Sequence, residues 1–201
     1  MNSLYYEKIT STQKILIEKI KKNEISLPIV IWSEYQIDGI GSRGDRWIGK
    51  KGNLFFSFAY KKDEFSFVPI ESLSIYFGWI FKKTLNELGS KCIMKWPNDI
   101  YLIDKKIGGV ITAIVKNSIV CGIGLNTKFA PDGFGYLDID IKNGKILKTF
   151  FSNLEKKCSF KKVIYEFKEE FEKYKDLFLI KGNLAEDGSL IINQKRIYSK
   201  R

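Results

Sequence analysis

The sequence predicts an α+β domain: a mixed, mainly antiparallel sheet with helices packed against it. Three observations point there. Apolar residues recur at helical spacing in three separate segments. Four short strands follow one another at turn-length intervals between Lys91 and Leu125, which is simplest as antiparallel hairpins. Two of those strands are apolar almost without a break, as at the centre of a sheet. With 201 residues, 44% hydrophobic and 14% aromatic, the chain has the means to bury a sizeable single core.

In chain order, Ser11 and Thr12 precede Ile15, Leu16 and Ile20, so a helix over 11–23 is expected with an N-cap candidate in front. Leu27 to Trp32 is a β-branched run and reads as a strand. Gln36 to Gly52 carries five glycines among basic residues, the mark of a loop whose backbone approaches something closely. Asn53 to Tyr60 returns to strand character. Leu73, Tyr76, Phe77, Ile80, Phe81 and Leu85 give a helical period over 69–88, ended by Gly89. Strands follow at Lys91–Lys95, Ile100–Ile103, Ile107–Val115 and Ile119–Leu125, separated by Asn98-Asp99, Asp104-Lys105 and Asn117-Ser118. Residues 129–149 read as a Gly/Asp/Lys-rich connection. Val163, Phe167, Phe171, Tyr174 and Phe178 place a helix over 160–178, and one or two short strands are expected around Asp187-Gly188.

Composition removes whole classes of chemistry. There is no histidine, so no Ser-His-Asp or Cys-His nucleophile pair and no His-ligated zinc. Cys92, Cys121 and Cys158 are odd in number and far apart, which argues against a disulfide framework or a metal knuckle. The formal charge of +11 is uneven: residues 142–201 hold 15 basic and 8 acidic side chains, much of them interleaved on one Lys/Glu-rich helix. Such a mixed run reads as a solvated face rather than a phosphate-tracking one. The N-terminus lacks a signal-type apolar core, and the apolar run at Ile107–Val115 is half of what spans a bilayer. The expectation is a cytoplasmic protein with no membrane and no nucleic-acid partner.

Two segments exceed what a fold alone requires. Gly39-Ile-Gly-Ser-Arg-Gly-Asp-Arg-Trp47 is a glycine-rich loop with arginines, either a surface turn or a wrap for an anion. Met94-Lys-Trp-Pro-Asn-Asp-Ile-Tyr-Leu102 sets a lysine in an apolar strand. That lysine is either snorkelling from an edge strand or a buried cation facing an anion.

In this order, with their flanks, the two segments resemble the biotin–protein ligase family. The resemblance covers roughly residues 5–178. It rests on Ser11-Thr12, Glu34-Tyr35-Gln36, Gly39-x-Gly-x-x-Gly-x-x-Trp47, Asn53-Leu54, Lys95-Trp-Pro-Asn-Asp99, Lys106-Ile-Gly-Gly109 and Gly122-Ile-Gly-Leu-Asn126. It implies a class II synthetase-like catalytic domain over 1–178 and a short C-terminal β segment, 179–201, in place of the family's SH3-like barrel. It also implies a two-step acyl transfer. Biotin and ATP give biotinyl-5'-AMP, with Mg²⁺ delivered on ATP; biotin then passes to a lysine of a biotin carboxyl carrier protein, by family default that of acetyl-CoA carboxylase. Only ten residues precede Ser11, so a monofunctional member without the N-terminal DNA-binding domain is expected. Both monomers and homodimers occur in the family.

By the same resemblance Lys95 is the catalytic cation between the biotin carboxylate and the α-phosphate. Ser11, Thr12 and Gln36 correspond to contacts on the ureido ring, and Gln13 stands where the family usually has Asn. The loop Gly39, Ile40, Gly41 and Ser42 would follow biotin, with Gly109 and Gly122 beside its tail. Arg43, Arg46, Trp47, Asn98 and Asn126 fall at the adenylate end, and Asp99 is a candidate metal ligand or simply a turn residue. Gly108, Gly109, Gly122 and Gly124 either make room for the valeryl tail or serve tight strand packing.

The loop departs from the family's Gly-Arg-Gly-x-x-Gly-Arg-x-Trp. Ile40 and Asp45 replace arginines, and Ser42 occupies a place that is often basic. A charge-assisted bond to phosphate in a closed site contributes about 1.5–3 kcal/mol, so Arg43 or Arg46 is expected to take over that contact and the adenylate to be held less firmly. A lipoate–protein ligase of related fold is the alternative enzyme, disfavoured because a dithiolane needs no polar partner such as Gln36. A basic nucleic-acid-binding module built on Lys161, Lys162, Lys168, Lys173 and Lys175 is the non-enzymatic alternative, disfavoured by the interleaved glutamates.

Overall fold

Strands β1 (Asn2–Tyr6), β2 (Ile29–Ser33), β5 (Leu54–Lys61), β6 (Ile93–Lys95), β7 (Asp99–Leu102), β8 (Lys105–Val115) and β9 (Ser118–Leu125) form one seven-stranded sheet. Its order is β1-β2-β5-β9-β8-β7-β6. The computed structural model describes residues 1–42 and 45–198. Every pairing is antiparallel except β1 with β2, so the sheet is mixed and mainly antiparallel, as the turn residues required. A small hairpin of β3 (Gly39–Ile40) and β4 (Arg46–Trp47) interrupts the glycine-rich loop.

Alternation on the central strands sends large residues to one face and small ones to the other. Leu54, Phe56, Phe58 and Tyr60 of β5 and Ile119, Cys121, Ile123 and Leu125 of β9 join the main core. Helices α2 (Leu73–Glu87), α3 (Asn143–Glu155) and α4 (Phe160–Tyr174) cover that face. The rings of Phe56, Phe58, Phe81 and Phe150 meet at 5.4–5.7 Å in tilted and edge-on contacts. The opposite face receives only α1 (Thr12–Lys21), whose Leu16 and Ile20 pack on Ile29, Ile31, Ala59 and Val120. Ser11 caps α1, its hydroxyl accepting from the Lys14 N–H at 3.4 Å.

Three elements differ from the sequence expectation. Strand β1 is an edge strand with four of its five residues exposed, so it carries no alternating burial pattern to read. Helix α3 lies largely inside the segment read as a connection. It has no side-chain N-cap and Gly144 in its first turn, and only Ile146, Leu147, Phe150 and Leu154 betray it. The C-terminal segment forms three strands, not one or two: β10 (Asn183–Leu184), β11 (Leu190–Ile192) and β12 (Lys195–Ile197). Leu184 and Leu190 are buried in the main core, while β12 is wholly exposed and left no signal.

The edge hairpin β6–β7 is tied down from the helical side. The Met94 N–H donates to Glu170 Oε1 at 2.8 Å, and the other carboxylate oxygen of Glu170 pairs with buried Lys82. From the C-terminal sheet, the Gly188 carbonyl accepts from the Trp96 indole N–H at 2.9 Å. Among the described residues no helix is long and apolar enough to cross a membrane.

Candidate ligand-binding site

Where α1 leaves the open face uncovered, the sheet floor is made of small residues. Register places Ser57, Gly122 and Ile111 in one row and Phe55, Gly124 and Gly109 in the next, on the face away from α2. The N-terminus of α1 overhangs the first row with Thr12 and Gln13, and Gln36 joins them from the loop after β2. The resulting cavity is further lined by Ile40, Gly41, Ser42, Trp47, Asn98, Asp99 and Lys106.

The polar end is built from buried hydrogen bonds. Gln36 Oε1 accepts from the Thr12 N–H at 2.9 Å and from its hydroxyl at 3.3 Å, and Thr12 Oγ1 lies 2.9 Å from Ser57 Oγ. Gly39 belongs to this construction without lining the cavity: a Cβ there would lie 2.2 Å from Gln36 Nε2 and 2.7 Å from the Trp47 carbonyl. At the other end Lys106 Nζ pairs with Asp99 Oδ1 at 2.7 Å and lies 5.6 Å from the centre of the Trp47 ring. Asn98 holds the strand above, its Nδ2 donating to the Val110 carbonyl at 2.6 Å.

Two buried polar atoms in this cavity have no partner: the acceptor Gln13 Oε1 and the donor Trp47 Nε1. An unsatisfied buried donor or acceptor costs about 1–3 kcal/mol, which a ligand with polar groups of both kinds would recover. The Trp47 indole lies across the glycine floor, close enough that a Cβ on Gly124 would come within 2.7 Å of it. With the ring there the cavity measures about 40 Å³, far below the roughly 300–1,000 Å³ of ligand pockets. The indole thus covers the Gly124 part of the floor.

The structure does not bring Lys95 to this cavity. It shares the sheet face, but its Nζ rests 5.2 Å from the ring centres of both Tyr101 and Phe178. Lys106 is the one cation among the described lining residues, and a β-bulge explains its direction. Ile100 pairs with Gly108 while Tyr101 pairs with Lys106, leaving Ile107 as the extra residue. The bulge reverses alternation along β8, so Ile107 enters the helical core and Lys106 turns to the cavity. Strict alternation from Gly109 would have aimed Lys106 the other way.

Other expected residues also lie off the cavity. Ser11 acts as the cap of α1, and Arg46 is exposed with its guanidinium 3.6 Å from Asp38. Asn126 is buried with both ends of its carboxamide engaged: Oδ1 accepts from Asn53 Nδ2 at 3.2 Å and Nδ2 donates to the Gly135 carbonyl at 3.0 Å. Arg43 lies outside the described residues. Gly108 serves strand packing, with the Gly124 carbonyl 3.0 Å from where its Cβ would be, whereas Gly109, Gly122 and Gly124 make the floor. Ser57, Lys106, Val110, Ile111 and Ile123 are the lining residues that sequence reasoning missed; Lys106 sat within a quoted motif, but its direction depends on the bulge.

Asp99 is the one carboxylate among the described lining residues and is taken by Lys106. Among the described residues no group of three or more Asp, Glu, Cys or His is placed to hold a metal ion. The donor set does not fit a resident divalent metal.

Fold and cavity together define a small-ligand-binding α+β domain with polar partners at one end of a glycine floor and a single ammonium at the other. Residues 5–128 match the model of the biotin/lipoate A/B protein ligase family, and the chain belongs to that family. It is similar to the bifunctional ligase/repressor BirA of Salmonella typhimurium, 33% identical over 125 residues, covering 59% of this chain and 38% of that protein. The chloroplastic biotin–protein ligase 1 of Arabidopsis thaliana is 25% identical over 197 residues, covering 89% of this chain and 48% of that one. The chain thus spans less than half the length of these curated relatives. Among solved structures, the biotin acetyl coenzyme A carboxylase synthetase of Helicobacter pylori, with bound biotinylated ATP, superposes with a TM-score of 0.91 at 34% identity. That match covers 98% of this chain and 99% of the other. A lipoate–protein ligase A bound with ATP superposes with a TM-score of 0.57 at 12% identity, over 78% of this chain and 85% of the other, which is likeness of fold.

Proposed function

We propose that this chain is a biotin–protein ligase that makes biotinyl-5'-AMP from biotin and ATP and transfers biotin to a lysine of a carrier domain. The carrying observation is the pair of unpartnered buried atoms, Gln13 Oε1 and Trp47 Nε1, in a cavity that ends in a cation. A ureido ring offers both N–H donors and a carbonyl acceptor, which suits Thr12, Gln13, Gln36 and Ser57. Two-residue strand repeats of about 7 Å separate the rows of the floor, room for an apolar tail over Gly122 and Gly124.

In the first step a biotin carboxylate oxygen attacks the α-phosphorus of ATP and pyrophosphate leaves. Lys106 is the group that would sit between the two anions, offsetting their repulsion and the charge that builds on phosphorus. In the second step a lysine amine of the carrier attacks the acyl carbon, AMP leaves with the bonding electrons, and the amine loses a proton. Neither step needs a histidine, and the protein's part is positioning and electrostatics. Mg²⁺ enters as part of the ATP substrate, and no step is assigned to a protein-bound ion.

Incubation with ATP, Mg²⁺, biotin and a biotin carrier domain should add one biotin mass to the carrier. No mass increase with folded protein would overturn the proposal. The family also contains lipoate ligases, and calorimetry separates the readings: biotin should bind and lipoate should not, because lipoate leaves Gln13 and Gln36 unmatched. Tight lipoate binding in place of biotin would reverse the assignment.

A further inference from the structure

Asn53 is fully buried at the start of β5, outside the cavity lining, yet its side chain makes more hydrogen bonds than any lining residue. Its Oδ1 accepts from three consecutive backbone N–H groups, those of Thr127, Lys128 and Phe129, each at 3.1 Å. Its Nδ2 donates to the Phe129 carbonyl at 2.7 Å and to Asn126 Oδ1 at 3.2 Å. Asn126 passes the connection on: its Nδ2 donates to the Gly135 carbonyl at 3.0 Å, and the Gly135 N–H donates to the Lys106 carbonyl at 3.0 Å. The Asn126 N–H in turn donates to the Ile107 carbonyl at 2.8 Å. The line therefore ends on the two bulge residues that decide which way Lys106 points.

We propose that Asn53 is a positioning residue that, through Asn126 and Gly135, fixes the β8 bulge and with it the direction of Lys106. The inference rests on the role given to Lys106 above. Its logic is one of polarity. Each carboxamide in the line must present oxygen on one side and N–H on the other, because Asn53 offers Nδ2 to an oxygen and Asn126 offers Nδ2 to a carbonyl. A carboxylate, which only accepts, keeps the shape and cannot serve both sides. In Asn53→Asp the three loop N–H bonds survive, but an acceptor faces Asn126 Oδ1. If Asn126 turns over to satisfy it, the carboxamide oxygen faces the Gly135 carbonyl instead. Asn126→Asp leaves the Asn53 contact intact and breaks only the Gly135 one.

The test uses the whole chain and biotinyl-adenylate formation followed by pyrophosphate release. Asn126→Asp should lower kcat on the order of 10- to 100-fold, the range for misplaced catalytic groups and their supports, with the KM for biotin within about twofold. Asn53→Asp should do the same, and the double variant should be no worse than the weaker single, since two breaks in one line do not multiply. Hydrogen exchange at the Gly135 amide should accelerate in both, a readout independent of turnover. Wild-type kcat in folded Asn126→Asp, or effects that multiply in the double, overturns the inference. Should Asn53→Asp not fold, Asn126→Asp decides alone. An inactive wild type with fast Gly135 exchange in the variants would instead overturn the ligase reading and leave the positioning of the bulge established.

Discussion

Lys106 Nζ and Asp99 Oδ1 stand 2.7 Å apart across the β7–β8 ladder, both side chains about four-fifths covered and both facing the cavity. The carboxylate holds the ammonium aimed at the space over Gly109 and occupies one side of it. An entering substrate anion would share that ammonium with Asp99. The pair is thus a placed cation with a competing partner.

Substitution should separate Lys106 from Lys95. Lys106→Ala is expected to lower the rate of biotinyl-adenylate formation by about 10²–10³, the cost of removing one electrostatic stabiliser from a closed site. Lys95→Ala should stay within about fivefold, since its ammonium rests on the Tyr101 and Phe178 rings and not on the cavity. Pyrophosphate release under saturating biotin and ATP measures both. A larger loss in Lys95→Ala would return the catalytic role to that residue.

The sheet was legible because its signals are local. Asn98-Asp99, Asp104-Lys105 and Asn117-Ser118 are turn residues, and β8 and β9 are apolar on both faces as central strands must be. Thr12, Gln13, Gln36 and the glycine floor were legible as a set through motif order. What stayed hidden depends on long-range geometry. One extra residue opposite Ile100–Tyr101 decides whether Lys106 meets the cavity, and no spacing in the sequence announces it. Strands β1 and β12 have no buried alternate face and α3 lacks a side-chain cap; β1 and α3 are held by partners distant in sequence, and β12 by its hairpin with β11.

The glycine floor should be intolerant of a methyl group for binding and tolerant for folding. A Cβ on Gly122 would lie 2.6 Å from Gln13 Oε1 and 3.1 Å from Ser57 Oγ, both side-chain atoms at the polar end of the cavity. Gln13 is the flexible one and would swing aside, so stability should change by under about 1 kcal/mol. The displaced amide then loses its place over the ligand, and the KM for biotin should rise at least tenfold with kcat little altered. Gly122→Ala with unchanged biotin affinity by calorimetry would show that the ligand does not approach this strand.

The Lys82–Glu170 pair should be a stability element with a directional signature. Both side chains are nearly covered, at 7% and 14% exposure, and Glu170 also receives the Met94 N–H at 2.8 Å. Glu170→Ala leaves a buried ammonium and an edge-strand N–H unpartnered, which should cost about 3–5 kcal/mol. Lys82→Met together with Glu170→Leu removes both charges and should recover most of that loss, because well-packed apolar replacements of buried pairs are often neutral. Urea denaturation of the single and double variants measures the difference. A double variant no more stable than Glu170→Ala would mean that the Met94 contact, not the charge, dominates.

Acid should loosen the C-terminal sheet first through Asp187. Burial pushes its carboxyl upward, but hydrogen bonds from the Ser189 hydroxyl and N–H, together with Arg196 and the Tyr198 hydroxyl, outweigh it and hold the carboxyl below the usual range. The contacts are 2.6 Å from the Ser189 hydroxyl, 3.1 Å from its N–H and 2.6 Å from Arg196 Nη1. A depressed folded value means the unfolded chain takes up the proton first as pH falls. The stabilisation is therefore complete above the unfolded value of about 4 and fades below it, as pH drops toward the folded value. Because the side chain is about one-third exposed at 33%, solvent screening keeps the amplitude below about 1 kcal/mol. The gap in Tm between wild type and Asp187→Asn should be constant from pH 7 to 5 and narrow progressively as pH falls below about 4. A gap that persists unchanged at pH 3 would show that Asp187 contributes through shape rather than charge.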